Sequence, residues 1–163
     1  MKSNDGTLPT SPHKGSIVLV ASTSGYFGGS GVAGYVSSKH GVVGLLRSSQ
    51  AAANRNGVRI NGIAPFFTPS HITASYAAEW AAAGLSSNTA EGVARRVVET
   101  LADSTQQGSC FLVAGGKSTE LETRRTELLD EWIGSDNRKL MADANVLFAK
   151  LGGYPLPKAR SLL

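Results

Sequence analysis

The sequence predicts a three-layer α/β fold built around a parallel sheet, and three observations predict it. Apolar, β-branched runs recur at residues 15–22 (GSIVLVAS), 58–64 (VRINGIA) and 109–115 (SCFLVAG). Each is short enough for a strand and too uniformly apolar for a sheet with one face in water. Between the first two lies a stretch of Ala, Ser, Val and Leu, residues 32–54, with Val32, Val36, Val43 and Leu46 at helical spacing. A strand, a helix of that length and a second strand form a crossover unit, so the two strands are parallel neighbours. The alternation of strand and helix then continues to the third run.

The elements follow in order. Residues 1–14 (MKSNDGTLPTSPHK) read as a polar leader. The first strand is followed by a loop, TSGYFGGSG, and the long helix, which NRNG at 54–57 closes with a C-cap signal. Pro65 stops the second strand, and an aromatic, proline-bearing loop, FFTPS, leads into an Ala-rich helix at about 72–83. A further helix at about 89–103 is expected to start from an N-cap at Asn88 or Thr89. After the third strand, Gly115 and Gly116 end the run, and the chain from Lys117 reads as a charged amphipathic helix through Trp132 and another through Lys150. The predicted organisation is a leader at 1–14, an α/β region at 15–116 and a helical extension at 117–163.

Composition bounds the function. The 163 residues suit one domain with a real core, and 41% hydrophobic against 17% charged residues is globular rather than disordered. Sixteen Lys and Arg against twelve Asp and Glu give +4, with basic residues scattered from Lys2 to Arg160 and no block of the kind nucleic-acid arms carry. No run approaches the ~18 apolar residues of a membrane span, and the leader lacks the apolar core of a secretory signal. The expectation is a cytoplasmic protein with neither nucleic acid nor membrane as partner. Cys110 is the only cysteine and sits in a strand-like run, which reads as a buried structural thiol; the three histidines match no zinc spacing.

Residues 28–39, GGSGVAGYVSSK, superpose two signatures. GSGVAG spells a dinucleotide phosphate loop, but six residues separate it from Ser22 at the strand end. There is also no acidic residue between Asp5 and Glu79 to hold a ribose. Those glycines are read as a turn with close packing at a helix start. The GKST following the third strand is not a P-loop either, because Phe111 stands where the first glycine is needed. YVSSK is different in kind. Tyr35 and Lys39 fall one helical turn apart on one face, near a helix N-terminus. A phenol is a poor base at neutral pH, but an adjacent cation and a positive helix end stabilise its anion, so such a tyrosine can pass a proton to or from an alcohol oxygen. Ser22 ends a buried strand thirteen residues before Tyr35, and IAPFFTPS places the hydroxyls of Thr68 and Ser70 after the next strand. Ligands of open α/β sheets bind at that carboxyl edge, so one crevice could collect all five residues.

GSIVLVAST, YVSSK, VRINGIAP and FLVAGG in this order resemble the C-terminal half of the short-chain dehydrogenase/reductases, NAD(P)-dependent enzymes on a doubly wound Rossmann sheet. The resemblance spans residues 15–116. It implies Ser22 as the hydroxyl that orients the substrate oxygen, Tyr35 as general acid/base, and Lys39 as the cation beside Tyr35 that also holds the nicotinamide ribose. It implies that Pro65, Thr68 and Ser70 belong to a loop on the nicotinamide, and that the cofactor is NAD or NADP. The substrate is then a secondary alcohol or ketone. Separately, the small-residue face of the long helix (Ala33, Ser37, Ala51, Ala52) would permit close helix pairing in a homo-oligomer, although core packing explains it as well. Where the family has Pro-Gly, this chain has Pro65-Phe66, which suggests a bulky apolar substrate. The loop APFFTPSHIT and the charged tail look most like fungal secondary-metabolite members.

In the family, the phosphate loop, an adenine-ribose acid and an Asn of the proton relay all precede the strand that here begins at Gly15. Fourteen polar residues cannot supply a crossover unit of ~30 residues. The sequence therefore reads as a partial Rossmann sheet of three C-terminal strands with the N-terminal half missing, whose first strand has an unpaired apolar edge. Two readings stand: an oxidoreductase working through Ser22, Tyr35 and Lys39, and a catalytically inactive fragment or interaction remnant of one.

Overall fold

The computed structural model describes residues 13–154; the leader expected at 1–14 lies almost wholly outside them. Its elements are β1 (Gly15–Val20), α1 (Ala33–Ser48), α2 (Gln50–Asn56), β2 (Val58–Pro65), α3 (Ala77–Ala82), α4 (Ala90–Ala102), β3 (Cys110–Ala114), β4 (Lys117–Glu120), α5 (Glu122–Glu127), α6 (Leu129–Ile133) and α7 (Ser135–Lys150). The four strands form one sheet in the order β1-β2-β3-β4. β1 pairs parallel with β2 from Gly15↔Val58 to Val20↔Ile63, and β2 pairs parallel with β3 from Gly62↔Cys110 to Pro65↔Val113. The parallel pairing of the first two strands is therefore as expected.

The two faces of β2 show why its sequence does not simply alternate between apolar and polar. Ala64, together with half-buried Ile60, packs in the cluster that holds Val43 and Leu46 of α1, Ala21 and Cys110. Ile63, one residue out of phase, packs with Phe111 and Val113 against Val93 and Val97 of α4. Helices cover both faces, so successive side chains alternate between two apolar layers. Gly62 sits where a Cβ would come within 2.8 Å of Cys110 Sγ and 3.1 Å of Leu46 Cδ2, so the layer beneath α1 is filled without it.

On the α4 face, β2 carries Arg59, which is buried. Its Nη1 donates to the carbonyls of Asp103 at 2.7 Å, Gln106 at 3.2 Å and Thr100 at 3.4 Å, and its Nη2 to Leu101 O at 2.7 Å. Thr100, Leu101 and Asp103 lie at the end of α4, where a helix leaves its carbonyls unpaired, and Gln106 lies in the turn beyond. The turn beyond is fixed by Asp103, whose carboxylate accepts from Thr105 N at 2.9 Å, Thr105 Oγ1 at 2.6 Å and Gln106 Nε2 at 3.0 Å. Chiefly those bonds hold the carboxyl down to about 2.

Three expectations are corrected. The helix read over 32–54 is two helices, α1 and α2, divided at Ser49. It does close on Gly57, whose φ of 67° is the left-handed C-cap. The segment at 72–83 begins as a 3-10 turn, His71–Tyr76, and becomes α-helical only in α3. The largest correction lies after β3. Gly115 and Gly116, with φ of 56° and 75°, do not merely end the strand; they turn it into a hairpin, and β4 pairs antiparallel with β3 from Phe111↔Glu120 to Ala114↔Lys117. Two successive left-handed residues give the turn whose twist suits a two-residue hairpin. The sheet thus gains a fourth strand, and the helical extension starts at Glu122 rather than Lys117.

The chain divides into two compact units at Glu122/Thr123. In the first, β1 has β2 as its one strand partner among the described residues, and Ile17 and Val20 are exposed. In the second, Gly134, with φ of 81°, separates α6 from α7, and Arg138 on α7 pairs with Asp130 of α6 at 2.6 Å.

Candidate active site

Ser22 leaves β1 directly, and the register of the sheet fixes where it goes. The Ala21 amide still donates to Ile63 O at 2.8 Å, after which the chain turns into a 3-10 helix, Thr23–Gly25. The Ser22 side chain caps that turn by accepting from Ser24 N at 3.2 Å, and its hydroxyl donates to Pro65 O at 3.4 Å. Ser22 therefore ties the carboxyl end of β1 to that of β2 while remaining 7% exposed. The turn lies close beneath α1: a Cβ on Gly25 would stand 2.6 Å from Lys39 O, so this glycine brings loop and helix together.

Tyr35 and Lys39 are in the first two turns of α1. The Lys39 ammonium lies 5.6 Å from the Tyr35 ring centroid and donates to Val20 O, the last carbonyl of β1, at 3.0 Å. One cation thus bridges the tyrosine ring and the strand end two residues before Ser22. Tyr35 is 42% exposed. The GSGVAG glycines play a smaller part than expected. Cβ atoms on Gly31 and Gly34 would meet nothing within 4 Å, so they mark a turn into α1 but no close packing; Gly25, outside the motif, does the packing.

Thr68 and Ser70 are drawn into the structure of their own loop. Thr68 Oγ1 donates to Phe66 O at 3.0 Å and accepts from Asn88 Nδ2 at 3.2 Å; the Ser70 amide donates to Thr73 Oγ1 at 2.8 Å, where the 3-10 turn begins. The FFTPS aromatics also divide their labour. Phe67 is buried, stacked on Trp80 at 4.1 Å between centroids and tilted against Tyr76 at 5.6 Å. Phe66 meets the edge of Trp80 at 5.5 Å and remains 47% exposed.

Asn88 organises this loop and was legible only as a helix cap. The α4 cap is Thr89, whose side chain accepts from Gly92 N. Asn88 is buried instead, its Nδ2 donating to Val113 O at 2.7 Å as well as to Thr68, and its Oδ1 accepting from Gly116 N at 3.2 Å. One amide side chain joins the loop after β2, the end of β3 and the hairpin turn.

A pocket of about 330 Å³ opens at this carboxyl edge, with walls that include Thr23, Ser24, Phe27, Phe66, Leu112 and Ala114. It lies beside Ser22 and at the ends of β2 and β3, but Tyr35 and Lys39 are not among the residues of its wall. Sequence reasoning passed over Phe27; the signal available was an aromatic residue in the glycine-rich loop that follows a strand end.

Behind the sheet end is a second polar group. Tyr26 Oη donates to Glu122 Oε1 at 2.8 Å, and Arg47 clasps the same carboxylate with Nε at 2.9 Å and Nη2 at 2.8 Å. Burial raises the Tyr26 phenol, and the bidentate carboxylate raises the Arg47 guanidinium. Cys110 is enclosed here, and burial pushes its thiol up to about 11. Since the thiolate is the reactive species, Cys110 should resist an aromatic disulfide reagent at mildly alkaline pH and react promptly once guanidinium unfolds the chain. Fast labelling of the native protein, read by absorbance, would contradict this burial.

A crevice at the carboxyl edge of a parallel α/β sheet is where ligands of Rossmann-type folds bind. Residues 6–81 match the family model described as short chain dehydrogenase, a stretch that includes Ser22, Tyr35, Lys39 and the loop to Ser70. Zerumbone synthase of Zingiber zerumbet is 42% identical over 66 residues, 40% of this chain and 25% of that protein. Xanthoxin dehydrogenase of Arabidopsis thaliana is 39% identical over 66 residues, 40% of this chain and 23% of that one. Among solved structures, a 4-hydroxyisoleucine dehydrogenase mutant complexed with NADH and succinate aligns with a TM-score of 0.58 at 27% identity, covering 65% of this chain and 48% of that one. A 3-hydroxyacyl-CoA dehydrogenase type-2 from Mycobacterium avium aligns with a TM-score of 0.57 at 29% identity, covering 64% and 42%.

The matched stretch, residues 6–81, is thus similar to the short-chain dehydrogenases, and the aligned structures are dehydrogenases as well. The alignments span about a quarter of the length of these curated relatives and just under half of these solved structures. The relatives reported are plant proteins, so the expected likeness to fungal secondary-metabolite enzymes is not supported. No helix among the described residues is long and apolar enough to cross a membrane.

Proposed function

We propose that this chain takes part in NAD(P)-dependent oxidoreduction of a secondary alcohol or ketone, with Ser22, Tyr35 and Lys39 as its reacting constellation. The observation that carries the reading is the Lys39 ammonium, which reaches both the Tyr35 ring and the β1 carboxyl end beside Ser22. In the oxidative direction Tyr35 Oη accepts the proton of the alcohol as its O–H bond breaks; in the reductive direction it returns that proton to the carbonyl oxygen. The Lys39 charge stabilises the negative charge that develops on the phenol oxygen. Ser22 Oγ orients the substrate oxygen; its bond to Pro65 O is long at 3.4 Å and is readily exchanged for one to substrate.

The residues present fit the nicotinamide-ribose end of a cofactor. An ammonium has three donors, and Lys39 uses one on Val20 O, which leaves capacity for ribose hydroxyls. Pro65, Thr68 and Ser70 shape the facing loop, which Asn88 fixes in place. When bound, NAD or NADP supplies the acceptor or donor of the hydride at the carbinol carbon. The relative with NADH in its structure supports this choice of cofactor class.

Titration with NADH and NADPH, following nicotinamide fluorescence, tests the reading. Saturable binding at micromolar levels is expected. No binding by either would favour the catalytically inactive alternative.

A further inference from the structure

We infer that the pocket at the sheet's carboxyl edge is a clamp for a neutral, flat ring system, with Phe27 and Phe66 as the residues that select it. The inference deepens the proposed function, from which it takes the chemistry, although the binding it predicts stands apart from any turnover. Three observations carry it. First, none of the residues forming the wall is charged: Phe27, Phe66, Leu112 and Ala114 line it together with Gly28 and two hydroxyl residues, Thr23 and Ser24. No charged side chain in the wall would balance an ion, which favours a neutral ligand.

Second, the two rings reach the pocket by different routes, one from the loop after β1 and one from the loop after β2, and both are left substantially uncovered. Phe27 is 73% exposed and Phe66 47% exposed. The adjacent Phe67 is buried against Trp80 and Tyr76, which accounts for one phenylalanine of the pair as loop core but not for the other. Phe66 is itself supported at its edge by Trp80, 5.5 Å between centroids, so its ring is presented to the pocket from a packed base. Third, about 330 Å³ is at the small end of ligand pockets, which suits a fused two-ring molecule rather than an extended chain. Thr23 and Ser24, which follow Ser22 in the chain, offer hydroxyls to the polar edge of such a ligand.

Isothermal titration calorimetry with 1-tetralone as probe tests the clamp, with trans-1-decalone as a non-aromatic ketone of similar size and 2-naphthoate as a charged one. Saturable tetralone binding is expected, with decalone weaker and naphthoate not binding. Stacking preferences make the expected loss roughly three- to tenfold for each of Phe66→Ala and Phe27→Ala. Phe27 is so exposed that its removal leaves the core untouched, and circular dichroism checks the Phe66 variant. Absence of tetralone binding, equal binding of decalone, or binding indifferent to both substitutions would overturn the inference. Competition by nicotinamide mononucleotide would overturn it too, by assigning the clamp to the cofactor ring. Tetralone binding without NADH binding would keep the clamp and remove the oxidoreductase, so the two readings fail separately.

Discussion

Tyr35→Phe is expected to lower ketone reduction or alcohol oxidation by about 10²- to 10⁴-fold, the contribution of a positioned acid/base. The substitution deletes one oxygen from a side chain that is 42% exposed, so stability and fold should be unchanged. The loss should fall on kcat, because the ring that faces Lys39 is retained and the phenol oxygen matters most as the proton moves. Tetralone binding should survive the change, since Tyr35 is not part of the pocket wall. Steady-state rates with NADH or NADPH and a panel of cyclic ketones measure it. Full turnover in Tyr35→Phe, or none in the unsubstituted chain, would remove Tyr35 from the chemistry.

The second large effect is structural. Arg59→Ala should destabilise the α/β unit by about 3 kcal/mol, because buried hydrogen bonds from a charged donor each contribute more than neutral ones and carbonyl partners are left unpaired, although Gln106 O keeps a bond from Asn61 Nδ2 at 3.0 Å. Four carbonyls around the end of α4 accept from this guanidinium. The sum is less than four such bonds, since Arg59 Nε is buried without a partner and some carbonyls regain water. For a unit of this size the melting temperature should fall by more than about 10 °C. Arg59→Met separates packing from hydrogen bonding: it fills much of the space but donates nothing, and should cost nearly as much. Urea unfolding monitored by circular dichroism distinguishes the cases, and a loss under about 1 kcal/mol for Arg59→Met would mean the carbonyls have other partners.

Neither arginine contact could be anticipated. Arg59 falls inside the run 58–64 and Arg47 inside the helical stretch 32–54, and neither carries a local signal for a distant partner. Their partners lie 41 to 47 residues away for Arg59 and 75 residues away for Arg47. Local patterns specify an element's period and its ends, but not which distant carbonyls a buried guanidinium will meet. The hairpin into β4 was missed for a related reason. KSTE is short and polar, its strand state rests on pairing with β3, and only the Gly115-Gly116 turn announced it. Likewise the division of labour between Phe66 and Phe67 follows from where Trp80 packs, not from the pair itself.

What the sequence by itself determined is the parallel β1-α1-β2 unit, the continuation to β3, and the placement of Ser22, Tyr35 and Lys39. All of these rest on short-range regularities: apolar runs of strand length, helical spacing, and a tyrosine and a lysine one turn apart. Only the tertiary structure decided that Lys39 spans Tyr35 and the β1 terminus, that Asn88 fastens the loop carrying Thr68, and that Phe27 and Phe66 share a pocket. Apart from the Tyr35–Lys39 pair itself, these join residues far apart in the chain, and they exist because the parallel sheet brings the carboxyl ends of its strands to one edge.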